Sequence, residues 1–182
     1  MVLLNSSTCN FDWKPKNFNF TSLQEQQGSL YNSSGINGIL VMFICNHCPY
    51  VKAIEEKISI ETERIKKLNV NSIAIMSNDQ SLYIEDSDEG LREQIKRANF
   101  NFPYVVDSTQ ELGKMFEAQC TAEFYYFNNL TKLKYRGRLD SDGKNSSMGK
   151  PELYYAIEET ISKGYCSTRQ YPSIGCSIKW KN

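Results

Sequence analysis

The sequence predicts an α/β fold, a buried β-sheet with helices on both faces. Three observations predict it. Gly38 to Ile44 is an uninterrupted apolar run rich in β-branched residues, apolar residues recur at helical spacing directly after it, and strand-like and helical segments alternate from there.

The stretch to about Ile36 is rich in Asn, Ser and Gln and shows no sustained periodicity; Phe18, Phe20, Leu30 and Tyr31 are placed on short edge strands. Gly38 to Ile44 reads as a central strand buried on both faces, as in parallel sheets. Val51, Ile54, Ile58 and Ile65 then follow a helical stripe, with Lys52, Glu55, Glu56 and Glu63 on a solvated face. Pro49 suits the first turn, where its missing N–H costs nothing. Val70, Ile73 and Ile75 predict a second strand, and Leu91, Ile95 and Ala98 a second helix. That helix is entered through the acidic Glu85 to Asp88 stretch, and a short strand at Tyr104–Val105–Val106 comes next. Ser108-Thr109-Gln110-Glu111 has the form of a capping box, preceding Leu112, Met115 and Phe116. Phe124 to Phe127, Asn128-Asn129 and Leu133 to Leu139 read as a hairpin, and 150–163 as the last helix with Leu153, Ile157 and Ile161 inward. The whole chain, 1–182, is expected to form one domain, with residues 164–182 a tail folded over it and anchored by Trp180.

Composition narrows the function. With 21 basic and 21 acidic residues the formal charge is +0, which leaves no excess positive charge to collect nucleic-acid phosphates or an anionic membrane. No run of about 18 apolar residues exists to span a bilayer. Val2-Leu3-Leu4 is too short for the apolar region of a signal peptide, so a cytoplasmic location is expected. There the six cysteines rest mostly reduced, and a close cysteine pair reads as catalytic or metal-binding.

That pair is Cys45-Asn46-His47-Cys48. A buried strand, then Cys-x-x-Cys-Pro, then an amphipathic helix sets Cys48 at a helix N-terminus, where unpaired N–H groups and the helix dipole favour thiolate. Thiolate is the species that attacks a disulfide, and the second sulfur can reach back to resolve the mixed disulfide. His47, the one histidine of the chain, lies between them in sequence and is expected to tune their poise. The reading is a thiol–disulfide oxidoreductase in which Cys45 attacks and Cys48 resolves. No cofactor is expected beyond the redox-active disulfide, and no metal. Half of a zinc site remains an alternative, although a second pair at ribbon spacing is missing because Cys120, Cys166 and Cys176 are scattered. Haem attachment fails, because the histidine precedes the second cysteine.

Phe43-Ile44-Cys45-Asn46-His47-Cys48-Pro49-Tyr50-Val51-Lys52 resembles a peroxiredoxin-like subgroup of the thioredoxin-like proteins, the AhpC/TSA or redoxin group. The likeness continues through Ser77-Asn78-Asp79, Tyr83 with Glu85-Asp86-Ser87, Phe102-Pro103-Tyr104 with Asp107, Cys120-Thr121, Tyr135 to Asp140 and Pro172 to Trp180. The resemblance implies a thioredoxin-like fold with a central mixed sheet, and an antioxidant or disulfide-exchange role. It aligns Cys48 with the peroxidatic cysteine, so a thiol peroxidase with Cys45 as resolver is the first rival. Against it, Cys45 and Val41 stand where a peroxidase has Thr or Ser and Pro, and the arginine expected near Thr121 is absent. A second rival is a metal-binding module using Cys45, Cys48 and His47 or Cys176. Pro49, Tyr50, Thr121 and Ala122 are the candidate substrate-binding residues, and Cys120 and Cys176 additional redox candidates. The subgroup reads Cys-Thr-Pro-Asp where this chain has Cys120-Thr121-Ala122-Glu123, and without proline the Thr121–Ala122 bond is expected to be trans. The expected partners are a disulfide-containing protein, small thiol or peroxide, and a cellular thiol reductant, with the oligomeric state left open.

Overall fold

The computed structural model describes residues 2–145, 147 and 149–181. Its centre is a five-stranded mixed sheet. β4 (Gly38–Phe43) lies in the middle, parallel to β5 (Val70–Met76), which is parallel to β6 (Tyr104–Val106). On its other side β4 runs antiparallel to β8 (Glu123–Phe127), and β8 to β9 (Leu133–Gly137). Strand alternation splits β4 between two cores: Leu40 and Met42 face one, Ile39, Val41 and Phe43 the other. Gly38 opens the strand at φ +125°, and a Cβ there would sit 2.0 Å from the Phe127 carbonyl oxygen.

Three helices cover the first face: α2 (Glu55–Lys66), α3 (Asp88–Ala98) and α5 (Glu152–Lys163), through Ile58, Ile65, Leu91, Leu153 and Ile157. The second face carries the short α4 (Glu111–Met115) and the N-terminal segment, whose Trp13 and Phe18 meet Phe116 edge-on. That segment forms a hairpin of β2 (Asn19–Thr21) and β3 (Gln27–Ser29), in which of the expected strand residues only Phe20 lies, Phe18 preceding β2 and Leu30 and Tyr31 lying in the turn after β3. A smaller antiparallel sheet joins both chain ends, with β10 (Ile174–Ser177) between β1 (Leu3–Asn5) and β7 (Cys120–Thr121).

Four further expectations need correction. The helix after Cys48 is broken, α1 (Pro49–Lys52) being followed by a bend at Ile54 (φ −120°, ψ 9°) before α2 begins. Ser108 does not cap α4; Gln110 occupies the cap position in a left-handed conformation, and the Asp107 carboxylate accepts from Gly113 N at 2.8 Å. Ile161 is exposed, because the buried stripe of α5 runs through Leu153, Ala156, Ile157 and Thr160. Glu55 is buried rather than solvated, since Arg97 and Gln94 of α3 reach its carboxylate.

The tail is held by backbone bonds more than by Trp180, which is 41% exposed and rests against Gly113. Lys179 N donates to Asn78 Oδ1, Asp79 N donates to the Lys179 carbonyl, and Lys181 N donates to Gln110 Oε1.

Candidate functional site

Cys45 follows the end of β4, and Cys48 is the N-cap of α1 with Pro49 at the first helical position. The connecting residues are fixed by a carboxylate absent from the sequence-derived site. Asp86 is fully buried and accepts four hydrogen bonds: from Asn46 N (2.8 Å) and His47 N (2.9 Å) on one oxygen, from His47 Nδ1 (2.6 Å) and Asn78 Nδ2 (2.9 Å) on the other. Burial alone would raise this carboxyl, but the bonds from His47 and Asn78 offset it and hold it below its ordinary value. Asn46 is fixed further by Nδ2 bonds to the Glu85 and Gly90 carbonyls and by Arg97, which also grips Glu55.

His47 therefore turns to Asp86 instead of standing between the two sulfurs. Its ring stacks on Tyr83 with centroids 3.8 Å apart, and its Nε2 is buried with no hydrogen-bond partner. Among the described residues, ligand atoms of Cys45, His47 and Asp86 lie within 4.8 Å of one another. With four donors already on Asp86, a cation there has to displace His47 or Asn78 from the carboxylate.

The two thiols are unequal. The Cys45 thiol donates to Cys48, which is the main cause holding the Cys48 thiol well below its usual range; Cys176 and the Val51 and Cys176 backbone N–H groups add to this against the burial that opposes it. Cys45 is pushed up, first by burial and then by serving as that donor, with Asp86 adding a repulsive charge. The shifts thus favour thiolate at Cys48 and disfavour it at Cys45, the opposite order to the one expected for the attacking sulfur. Both cysteines have 0% exposure.

Thr121 joins them from β7. Its hydroxyl lies 3.2 Å from Cys45 Sγ and its carbonyl 3.5 Å from Cys48 Sγ. The Thr121–Ala122 bond is cis, correcting the expected trans geometry. Here the chain leaves the small sheet at Thr121 and enters the large one at Glu123, and the contacts of both sheets fix the single residue between. Ala122 and Tyr50 line a largely apolar cavity of 280 Å³ with Ile54, Phe124, Leu139 and Ile174. Pro49 is exposed and outside its lining.

Of the further redox candidates, Cys176 is brought in and Cys120 is not. Cys176 Sγ lies 2.8 Å from Cys48 Sγ. The Cys120 thiol is turned toward the Ser173 carbonyl, 3.9 Å away, and burial raises it. Asp86 and Glu55 were missed because acidic residues at helix starts ordinarily face water; the available signal for Asp86 was its place beside Ser87 in the motif with Tyr83.

Comparison with known proteins places this site in context. An uncharacterized conserved protein from Geobacillus kaustophilus is 32% identical, with a TM-score of 0.92 over 100% of this chain and 97% of that one. A hypothetical protein from Sinorhizobium meliloti is 27% identical, with a TM-score of 0.89 over 97% and 98%. A secreted disulfide oxidoreductase of Mycobacterium tuberculosis, homologous to E. coli DsbE, shares the fold at 13% identity, with a TM-score of 0.60 over 78% and 94%. No curated protein sequence matches. The fold is thus thioredoxin-like. The sequence model of the AhpC/TSA family matches residues 14–141, and the chain belongs to that family.

Proposed function

We propose that this protein is a thiol–disulfide oxidoreductase that uses its Cys-x-x-Cys dithiol with Cys48 as the attacking thiolate. The observation that carries the reading is the surroundings of Cys48 Sγ at the N-cap of α1, with the Cys176 sulfur 2.8 Å away and the Cys45 thiol and the Val51 and Cys176 backbone N–H groups lowering it. Cys48 attacks a disulfide, forms a mixed disulfide and releases one thiolate. Cys45 supplies the hydrogen bond that stabilises the attacking sulfur. Asp86 and His47 act by positioning the loop between the two cysteines. The cavity beside Ala122 and Tyr50 receives an apolar part of the substrate. The partners are then a disulfide-bearing protein or small disulfide and a thiol reductant, in a cytoplasmic setting.

One observation favours a second reading, the thiol peroxidase. Both sulfurs are closed to bulk solvent, which suits a small oxidant better than a protein disulfide. Rapid mixing of the reduced protein with hydrogen peroxide or with oxidised glutathione separates the two. Faster loss of thiols with the disulfide, abolished by Cys48→Ser, supports the exchange reading; a fast reaction with peroxide alone overturns it. Metal analysis of protein purified without chelator addresses the third reading, and a stoichiometric metal abolished by Cys45→Ser contradicts exchange chemistry.

A further inference from the structure

The tail supplies a third sulfur that the Cys-x-x-Cys motif does not announce. Cys176 lies 128 residues beyond Cys48 in sequence, yet their sulfurs are 2.8 Å apart. A disulfide needs about 2.05 Å, so bonding requires less than one ångström of further approach.

Three features set Cys176 there. β10 is clamped on both edges, Cys176 standing opposite Leu3 of β1 and opposite Thr121 of β7. Thr121 is also the residue whose carbonyl faces Cys48 Sγ and whose hydroxyl contacts Cys45 Sγ. Gly175 allows the close approach: a Cβ there would fall 1.9 Å from the Thr121 carbonyl oxygen, so any side chain forces β10 away. Lys179 N and the Lys179 carbonyl then bind the following residues to Asn78 and Asp79, beside the Asp86 network. Cys45, meanwhile, is engaged by Thr121 Oγ1 and lies within 4.8 Å of the His47 and Asp86 ligand atoms.

We infer that Cys176 is the resolving thiol for Cys48; this rests on the reading of Cys48 as the attacking sulfur. Cys48 thiolate attacks a substrate disulfide, forming the Cys48–substrate S–S bond as the substrate's own S–S bond breaks, and the first substrate thiolate leaves and takes a proton. Cys176, its proton passed to that first thiolate, then attacks Cys48 Sγ. The Cys48–Cys176 bond forms, the mixed disulfide breaks, and the second substrate thiolate leaves. Two protein thiols are oxidised and one substrate disulfide is reduced. The product ties the tail covalently to the N-terminus of α1.

The test uses the full-length reduced protein with one equivalent of oxidised glutathione, acid-quenched at intervals and read by mass spectrometry. Cys176→Ser is expected to accumulate the glutathione adduct on Cys48 and lose it about tenfold or more slowly than wild type, while Cys45→Ser still resolves. Early quenches of wild type are expected to show a tryptic crosslink between the segment ending at Lys52 and Gln170–Lys179, a readout that needs no variant to fold. Resolution at the wild-type rate by Cys176→Ser, or a wild-type disulfide confined to Cys45–Cys48 at the earliest quench, overturns the inference. Absence of any adduct on Cys48 in either variant, with no disulfide formed in wild type, overturns the attacking role of Cys48 and the inference with it.

Discussion

Asp86 shows how one buried carboxylate can set a redox site without touching the sulfurs. Its two oxygens take four donors from Asn46, His47 and Asn78, so its removal strands all four in a buried place. Asp86→Ala is therefore expected to cost about 3–5 kcal/mol of stability, read by urea denaturation of the reduced protein. A loss below about 1 kcal/mol contradicts the positioning role. Asp86→Asn keeps an acceptor for the two backbone N–H groups and should retain more of the stability. The cysteine motif and its histidine are visible in the sequence because their spacing is local. The partner that orients them is not, because Asp86 lies 39 residues from His47 and sits in an acidic run that reads as an ordinary helix start. In fact the helix start is also present, with Ser87 capping α3 through Gly90 N.

Among the elements, β10 lies directly against Cys48 through Cys176. It is a four-residue strand in a separate sheet, and its approach depends on Gly175. Gly175→Ala is expected to destabilise the protein by about 1–3 kcal/mol, since the atom met is backbone and the strand must shift. The same variant should open Cys48 to alkylation by iodoacetamide faster than wild type. Unchanged stability and alkylation would show that β10 does not seal the site. The strands β4, β5 and β8 and the helices α2, α3 and α5 were legible because each has a long apolar stripe of the right period. The bend at Ile54, the role of β10 and the cis bond before Ala122 were not. Each is fixed by contacts between segments far apart in the chain, for which local period carries no information.

Over the whole molecule, burial of thiols couples stability to pH. Burial raises the thiols of Cys45, Cys120 and Cys176 above their unfolded value. A group shifted this way contributes stability that is fully present below the unfolded pKa of about 8.5 and is lost as pH rises toward the folded one. The reduced protein should therefore lose stability above about pH 8.5, and by less in Cys120→Ala, when urea midpoints at neutral and alkaline pH are compared. Equal losses in the two proteins contradict the account of Cys120 as a buried neutral thiol. Cys48 has the opposite sign: its shift lies downward, so its contribution is present above about pH 8.5 and lost as pH falls through the folded value.

The downward shift of Cys48 is tested most directly by the thiolate absorbance of the reduced protein. The ultraviolet signal of wild type is titrated with pH, and that of Cys48→Ser is subtracted. A single thiolate is expected, present at neutral pH in wild type and missing in the variant, with a midpoint well below about 8.5. A midpoint at or above that value, or a neutral-pH thiolate that survives Cys48→Ser and disappears in Cys45→Ser, would contradict it.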